Sequence, residues 1–161
     1  MKTLICYCSR YGTTADCAGV LAQKVGGDTT LVDLARDRWP ALAGSDVVLI
    51  GGSIYAGKIQ RQVVSFCERN RQPLLGTRVG IFLCCLFTGE SAEMEMRTAF
   101  PDWLLAHAFS SVLPGGQIRF SRLSFLDRLL VRAVHPVRGD LSRLRPEALD
   151  ELARAARAGH A

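Results

Sequence analysis

Between residues 9 and 14 the chain reads Ser9-Arg10-Tyr11-Gly12-Thr13-Thr14, which gathers three aliphatic hydroxyls, a glycine and a cation directly behind the apolar run Leu4-Ile5-Cys6-Tyr7-Cys8. That run has no helical stripe and reads as a central parallel strand covered on both faces. A loop that closes such a strand and opens a helix aims free backbone N–H groups, the positive end of the helix dipole and hydroxyl donors at one point, and that point favours an anion. The chemistry implied is phosphate binding; the plainer alternative is that Ser9 and Thr13 only cap an ordinary helix. Two further candidate segments lie at the ends of buried runs: Gly51-Gly52-Ser53-Ile54-Tyr55-Ala56-Gly57 after Asp46–Ile50, and Cys85-Leu86-Phe87-Thr88-Gly89 at the end of Val79–Phe87. Loops of this kind behind successive strands favour the phosphate reading, because ligands of open parallel sheets bind where the winding direction reverses.

Other residues that carry chemistry are sparse. His107, His135 and His160 have no ligand partner at metal spacing and read as surface or packing residues, and no side chain stands out as a general acid or base. Six cysteines (Cys6, Cys8, Cys17, Cys67, Cys84, Cys85) sit in apolar segments without CxxC spacing, so reduced buried thiols are expected and no metal. Neighbours on a strand face opposite sides, so a metal site on Cys84-Cys85 would need backbone distortion. The net charge is +5, with arginine concentrated late, at Arg119, Arg122, Arg128, Arg132, Arg138, Arg143 and Arg145. An acidic substrate, an anionic membrane surface or a merely solvated basic face would each account for it. Nucleic acid is disfavoured, since no RNP-like, zinc-finger or helix-turn-helix pattern is present.

The elements that must position these residues alternate. Helices are expected over Ala15–Val25, Gln60–Asn70 and Ser91–Ala106, the last with a break or new turn at Pro101; short strands are expected at Thr29–Leu34 and Phe109–Leu113, the latter opening a fourth loop at Pro114-Gly115-Gly116. Five strands alternating with helices predict one α/β domain over residues 1–161, a three-layer sandwich with a parallel sheet in the order 2-1-3-4-5 and its loops along one rim. Ser121–Val134 reads as a basic amphipathic helix with Leu123, Leu126, Leu130 and Val134 on one face and Arg128 and Arg132 away from it, packed on the sheet or lying on lipid. Pro146–Arg157 supplies a last helix. No apolar run approaches the ~20 residues that cross a bilayer, and Met1-Lys2 leads straight into a strand, so a cytoplasmic location is expected.

Taken together these segments resemble the flavodoxin-like family that binds FMN, and the later ones resemble its menaquinone-dependent protoporphyrinogen IX dehydrogenase branch. The opening KTLICYCSRYGTT is similar to that branch's first strand and phosphate loop, GGSIYAG is similar to its second flavin loop, and the tail GGQIRFSRLSFLDRL is similar in its spacing of arginine, aromatic and Asp-Arg. The resemblance implies FMN held by Ser9, Arg10, Tyr11, Gly12, Thr13 and Thr14 at the phosphate. Ser53, Ile54, Tyr55, Ala56 and Gly57 would lie along the ring, with Cys85, Leu86, Phe87, Thr88 and Gly89 as a third wall. Tyr55 would flank one ring face, with Phe87 a weaker candidate for the other, and the flavin would carry the redox chemistry with no catalytic side chain. Arg119, Arg122, Arg128 and Arg132 would attract porphyrin propionates or anionic lipid heads. The implied activity is heme-biosynthetic: electrons leave a tetrapyrrole precursor and pass to a membrane quinone, at a site peripheral to the inner face of the cell membrane. Alternatives are an electron-transfer flavodoxin that serves a redox partner protein and a flavin-free module of the same fold. The donor, the acceptor and the oligomeric state stay open.

Overall fold

Leu4 to Cys6, Val47 to Ile50 and Val79 to Cys84 are apolar throughout, and the two-residue period of a strand sends alternate side chains into two separate cores. In the computed structural model, which describes residues 1–134 and 139–159, β1 (Lys2–Tyr7), β3 (Val47–Tyr55) and β5 (Arg78–Cys84) form the middle of the sheet. Leu4, Cys6, Val48, Ile50, Ile81 and Leu83 enter one core, which α2 (Arg61–Arg69) fills with Val63 and Phe66 and α3 (Arg71–Leu75) with Leu74. Ile5, Val47, Leu49 and Phe82 enter the other, against Ala18 and Leu21 of α1 (Thr13–Val25) and Leu149, Leu152 and Ala156 of the C-terminal helix (Pro146–Ala158). Burial on both faces is what makes these strands unbroken apolar runs.

The sheet runs β2 (Asp28–Asp33), β1, β3, β5, β6 (Ser110–Val112), with every one of these neighbours parallel. Counting only parallel strands, the order is the expected 2-1-3-4-5. The chain leaves β1 for β2 on one side and returns to β3 on the other, so the carboxyl ends of β1 and β3 flank a crevice.

Two local expectations change. Gly51 and Gly52 belong to β3 and not to the loop after it, because the strand continues to Tyr55 and turns back through Ala56-Gly57 into β4 (Lys58–Ile59). Both turn residues have positive φ, 48° and 72°, as a two-residue hairpin turn of the mirror-image type requires. Gly51 is there for space: a Cβ at that position would enter the ring of Phe82, its neighbour in register on β5. The break expected at Pro101 divides the 91–106 segment into two helices, α4 (Glu90–Ala99) and α5 (Asp102–His107), because Pro101 offers no N–H and holds Phe100 in an extended conformation.

The second change is in the tail. Gln117–Ile118 (β7) pairs antiparallel with Leu141–Ser142 (β8), a 3₁₀ turn covers Phe120–Arg122, and α6 runs from Phe125 to Val134. Its inward stripe is Leu123, Asp127 and Val131, whereas Phe125 and Leu126 are 74% and 70% exposed. Of the two arrangements open to this helix, the one that packs Leu126 and Leu130 on the sheet does not occur, because the position one turn beyond Leu123 that faces inward is an aspartate with partners waiting for it. The readings for His135, Arg138 and His160, and for the side chain of Val134, lie outside the described residues. Among those described, no helix is long and apolar enough to cross a membrane.

All six cysteines are free and buried. Burial pushes the thiols of Cys6 and Cys67 up to about 12 and that of Cys8 to about 11, from an ordinary 9.0. The unfolded thiols therefore lose protons first as pH rises, and the native state binds more protons than the unfolded one between pH 9 and 11. Stability is full below pH 9 and falls above it; in urea melts at pH 8, 9, 10 and 11 the decline should be shallower in a Cys6→Ala, Cys67→Ala variant. A second pair of melts tests the glycines: Gly51→Ala should cost about 1–3 kcal/mol by overpacking Phe82, and Gly19→Ala, whose Cβ meets open space inside α1, should stabilise by roughly 0.5–1 kcal/mol.

Candidate cofactor-binding site

The first loop is closed by its own side chain: the Gly12 N–H donates to Ser9 Oγ at 3.1 Å, and Gly12 takes φ 99° so that the chain can turn into α1. No side chain caps α1, which leaves the amides of its first turn aimed outward with the helix dipole behind them. Asp16 in that turn would repel an anion, but Arg119 pairs with it at 2.8 Å. Arg122 lies directly over Gly12 and donates from Nη1 to the Tyr11 carbonyl at 3.3 Å. Two arginines from residues far along the chain thus surround the phosphate loop.

Behind the loop lies a cavity of about 100 Å³ lined by Ser9, Thr13, Thr14, Ser53, Cys84 and Gln117, among others. Two polar atoms there, Thr14 Oγ1 and Gln117 Oε1, are buried with no hydrogen-bond partner. Buried polar groups are rarely left unmet, so a donor and an acceptor are held ready for a polar ligand. Through Ile54, Tyr55, Leu86 and Val131 this cavity adjoins a second one of about 320 Å³, which also takes in Ala56, Gly57, Phe87 and Leu130 and is mainly apolar. Thr88 and Gly89 line neither.

One residue that the sequence shows only as part of the tail's Asp-Arg pair, with no site role expected for it, organises the wall between them. Asp127 is 5% exposed. Its carboxylate accepts from the hydroxyls of Tyr11 and Tyr55 and, at 2.7 Å, of Ser124, and it pairs with Arg10 at 3.4 Å. Ser124 also accepts the Asp127 N–H at 3.2 Å and, through its carbonyl, the Arg128 N–H at 3.0 Å, so it caps α6. The Ser-x-x-Asp spacing is the sequence signal that could have set this helix start and its inward position. Arg10 also lies 3.8 Å from the Tyr55 ring centroid. Arg128 donates to the Phe120 carbonyl at 3.1 Å, and Arg132 sits 5.8 Å from the Phe120 ring, so these two stay on the outer side of α6 while Arg119 and Arg122 come to the loop.

Cys17 and Cys84 meet beneath the cavity, Cys84 Sγ donating to Cys17 Sγ at 3.7 Å. That hydrogen bond lowers the Cys17 thiol and, together with burial, raises that of Cys84 well above the ordinary range.

A parallel sheet in this order, with an anion-ready loop at the point of reversal, defines a mononucleotide-binding protein of the doubly wound class. The model of the flavodoxin domain family matches residues 4–143, and the chain belongs to that family. The two-electron reduced flavodoxin of Megasphaera elsdenii superposes with a TM-score of 0.58 at 19% identity, over 96% of this chain and 97% of that one. Oxidised Flavodoxin 1 of Bacillus cereus does so with 0.58 at 13% identity, over 100% and 99%. The rubredoxin oxygen:oxidoreductase of Desulfovibrio gigas gives 0.58 at 17% identity over 99% of this chain, which spans 37% of that enzyme's length. At these identities the likeness is one of fold. No curated protein matches.

FMN is the cofactor, and the residues present fit it. The hydroxyls and open amides of the first loop suit the phosphate, Gln117 Oε1 suits a hydroxyl donor of the ribityl chain, and the apolar cavity between the second and third loops suits the ring. A Thr13→Ala, Thr14→Ala variant should bind FMN at least tenfold more weakly, since one hydrogen bond to a charged group contributes about 1.5–3 kcal/mol, while riboflavin, which lacks the phosphate, should bind within about twofold of wild type by the same standard. Fluorescence titration with both flavins measures it; equal loss would mean that the loop serves the fold.

Proposed function

We propose that this chain is an FMN-dependent oxidoreductase that takes electrons from an anionic tetrapyrrole precursor and passes them to a membrane quinone, in the manner of the menaquinone-dependent protoporphyrinogen IX dehydrogenases its sequence resembles. The observation that carries the reading is α6. It closes one side of the cofactor crevice through Asp127 and Val131, and turns Phe125, Leu126, Leu129 and Leu130 outward beside Arg128 and Arg132. An apolar helix face flanked by arginines suits an anionic bilayer surface, where the rings and leucines enter the acyl boundary and the guanidinium groups meet head groups. A quinone in that bilayer would then be met at the ring end of the crevice, where Leu130 and Val131 line the apolar cavity.

When bound, the flavin supplies reversible acceptance of electrons. The protein's part is position and surroundings. Ser9 shapes the loop, Thr13 and Thr14 hold the phosphate, and Arg119 removes the repulsion of Asp16. Ile54, Leu86 and Val131 keep water from the ring. Because Arg10 covers one face of Tyr55, a ring stacked on this tyrosine takes the opposite face or displaces the guanidinium.

The second reading is an electron carrier without a substrate of its own. Its support is length: the chain matches whole flavodoxins nearly end to end.

Anaerobic turnover with protoporphyrinogen and a menaquinone analogue in anionic vesicles separates the two. The enzyme should turn over, should sediment with vesicles containing anionic lipid, and should release as salt rises, because charges are screened over ~8 Å at physiological ionic strength. Arg128→Glu with Arg132→Glu, and separately Phe125→Ser with Leu126→Ser, should each reduce vesicle binding while flavin content and melting temperature hold. Absence of both turnover and vesicle binding would leave the soluble carrier.

A further inference from the structure

On the far side of Arg10 and Tyr55 from the phosphate cavity, a cleft of about 1000 Å³ opens between the loop after β2, the β3–β4 hairpin and α2. Arg10, Lys58, Arg61 and Arg69 line it, and no aspartate or glutamate does. The side chains of Lys58 and Arg61 have no hydrogen-bond or ion-pair partner among the described residues. The nearby carboxylates are turned elsewhere: Asp33 pairs with Arg36 at 3.7 Å and accepts the Ala35 N–H, and Asp37 accepts the Asp33 N–H at 2.7 Å. Cations gathered in a concave site reinforce one another's field and draw an anion.

The cleft also has a rigid aromatic wall. Trp39 donates from Nε1 to the Leu34 carbonyl at 3.0 Å and meets Phe66 edge-on, with ring centroids 5.7 Å apart and planes at 84°. Arg69 lies 5.6 Å from the Trp39 ring centroid. A fixed indole among guanidinium forks matches a molecule of aromatic rings that carries carboxylates. The volume is at the upper end of small-molecule sites, roughly 300–1,000 Å³, and the fixed indole offers an aromatic ring a packing partner beside the cations.

We propose that this cleft binds a small molecule built of aromatic rings with two or more carboxylates, a ring against Trp39 and its carboxylates on Lys58, Arg61 and Arg69. The site rests on the function proposed above for the substrate's identity, and it places that substrate's carboxylates here and not on the arginines of the tail. Ser9, Arg10 and Tyr55 line both this cleft and the cofactor cavity, so a molecule bound here lies next to the flavin.

The test is a binding measurement without turnover. Full-length, FMN-loaded protein with Trp103→Phe, which leaves Trp39 as the one tryptophan of two, is titrated with protoporphyrin IX and with octaethylporphyrin, which has no carboxylate. Protoporphyrin IX should quench Trp39 saturably, and octaethylporphyrin at least about tenfold more weakly. Lys58→Glu with Arg61→Glu should weaken the dicarboxylate about tenfold or more, with flavin absorbance and melting temperature unchanged. Lys58→Gln with Arg61→Gln takes their place should the reversals disturb folding, and should weaken it in the same direction. Equal quenching by the two porphyrins, or indifference to both pairs of substitutions, overturns the proposal; so does absence of saturable quenching, which would assign the cleft's charge to an acidic protein partner. Specific binding without protoporphyrinogen oxidation overturns the enzyme and leaves the cleft, and oxidation without charge-dependent binding does the reverse.

Discussion

A carboxylate almost out of reach of water sets the shape of the cofactor crevice. Removing an ionised carboxylate from solvent costs several kcal/mol unless charge and hydrogen bonds replace the water, and Asp127 recovers this from four side chains on three other segments: Arg10 and Tyr11 of the first loop, Tyr55 at the end of β3, and Ser124 ahead of its own helix. Each of these is thereby held in turn. Arg10 is drawn onto the Tyr55 ring, and the tyrosines lean together with centroids 6.3 Å apart. Rotation of α6 about its axis would strand the charge, so the helix is fixed in the one orientation that leaves Phe125 and Leu126 exposed.

The rest of the crevice follows from the sheet. Strands buried on both faces end together at one rim, and their polar loops are the first places where the chain meets water. Gly51 and Phe82 illustrate how packing one layer down shapes the rim above it: the ring fills the space that a side chain on β3 would take, and the two residues that follow Gly52, Ser53 and Ile54, then face the cavity. The β7–β8 pair is tied to the same rim, since the Arg143 N–H donates to the Gly116 carbonyl at 2.9 Å and the Arg145 N–H to the Pro114 carbonyl at 2.8 Å. The tail is therefore part of the site's wall, and Gln117 reaches the phosphate cavity from it.

The central strands, their order and the first loop were legible in the sequence because their causes are local: continuous apolar runs, and hydroxyl and glycine residues that follow one of them at once. What escaped is non-local. Nothing in the spacing of Gly51 and Gly52 distinguishes a loop from a strand short of room, because the crowding residue belongs to another strand. Hydrophobic periodicity assigned α6 an apolar inward face, but the stripe that faces inward contains Asp127, whose burial is made tolerable by Tyr11 and Tyr55, residues 116 and 72 positions away. Pattern alone treats a charge as an exposed position and misplaces the helix accordingly.

The same limit applies to the arginines. Read along the chain, their concentration after residue 119 looks like a single surface in search of a partner, yet most of them already have one: Arg119 has Asp16, Arg122 the Tyr11 carbonyl, Arg128 the Phe120 carbonyl, Arg143 the Leu86 carbonyl and Arg145 the Leu113 carbonyl. A guanidinium has five donors in a planar fork, so one such bond does not exhaust it, but it does fix where the charge sits. The tail's positive charge is thus divided between the phosphate loop, where it offsets the cofactor's anion, the outer side of α6, and the carbonyls of Leu86 and Leu113. The side chains of Lys58 and Arg61, inconspicuous in the sequence because they are not clustered in it, have no internal partner among the described residues. Positive charge left without an internal partner is the charge most available to an external anion, and in this fold it lies on the far side of Tyr55 from the arginine-rich tail.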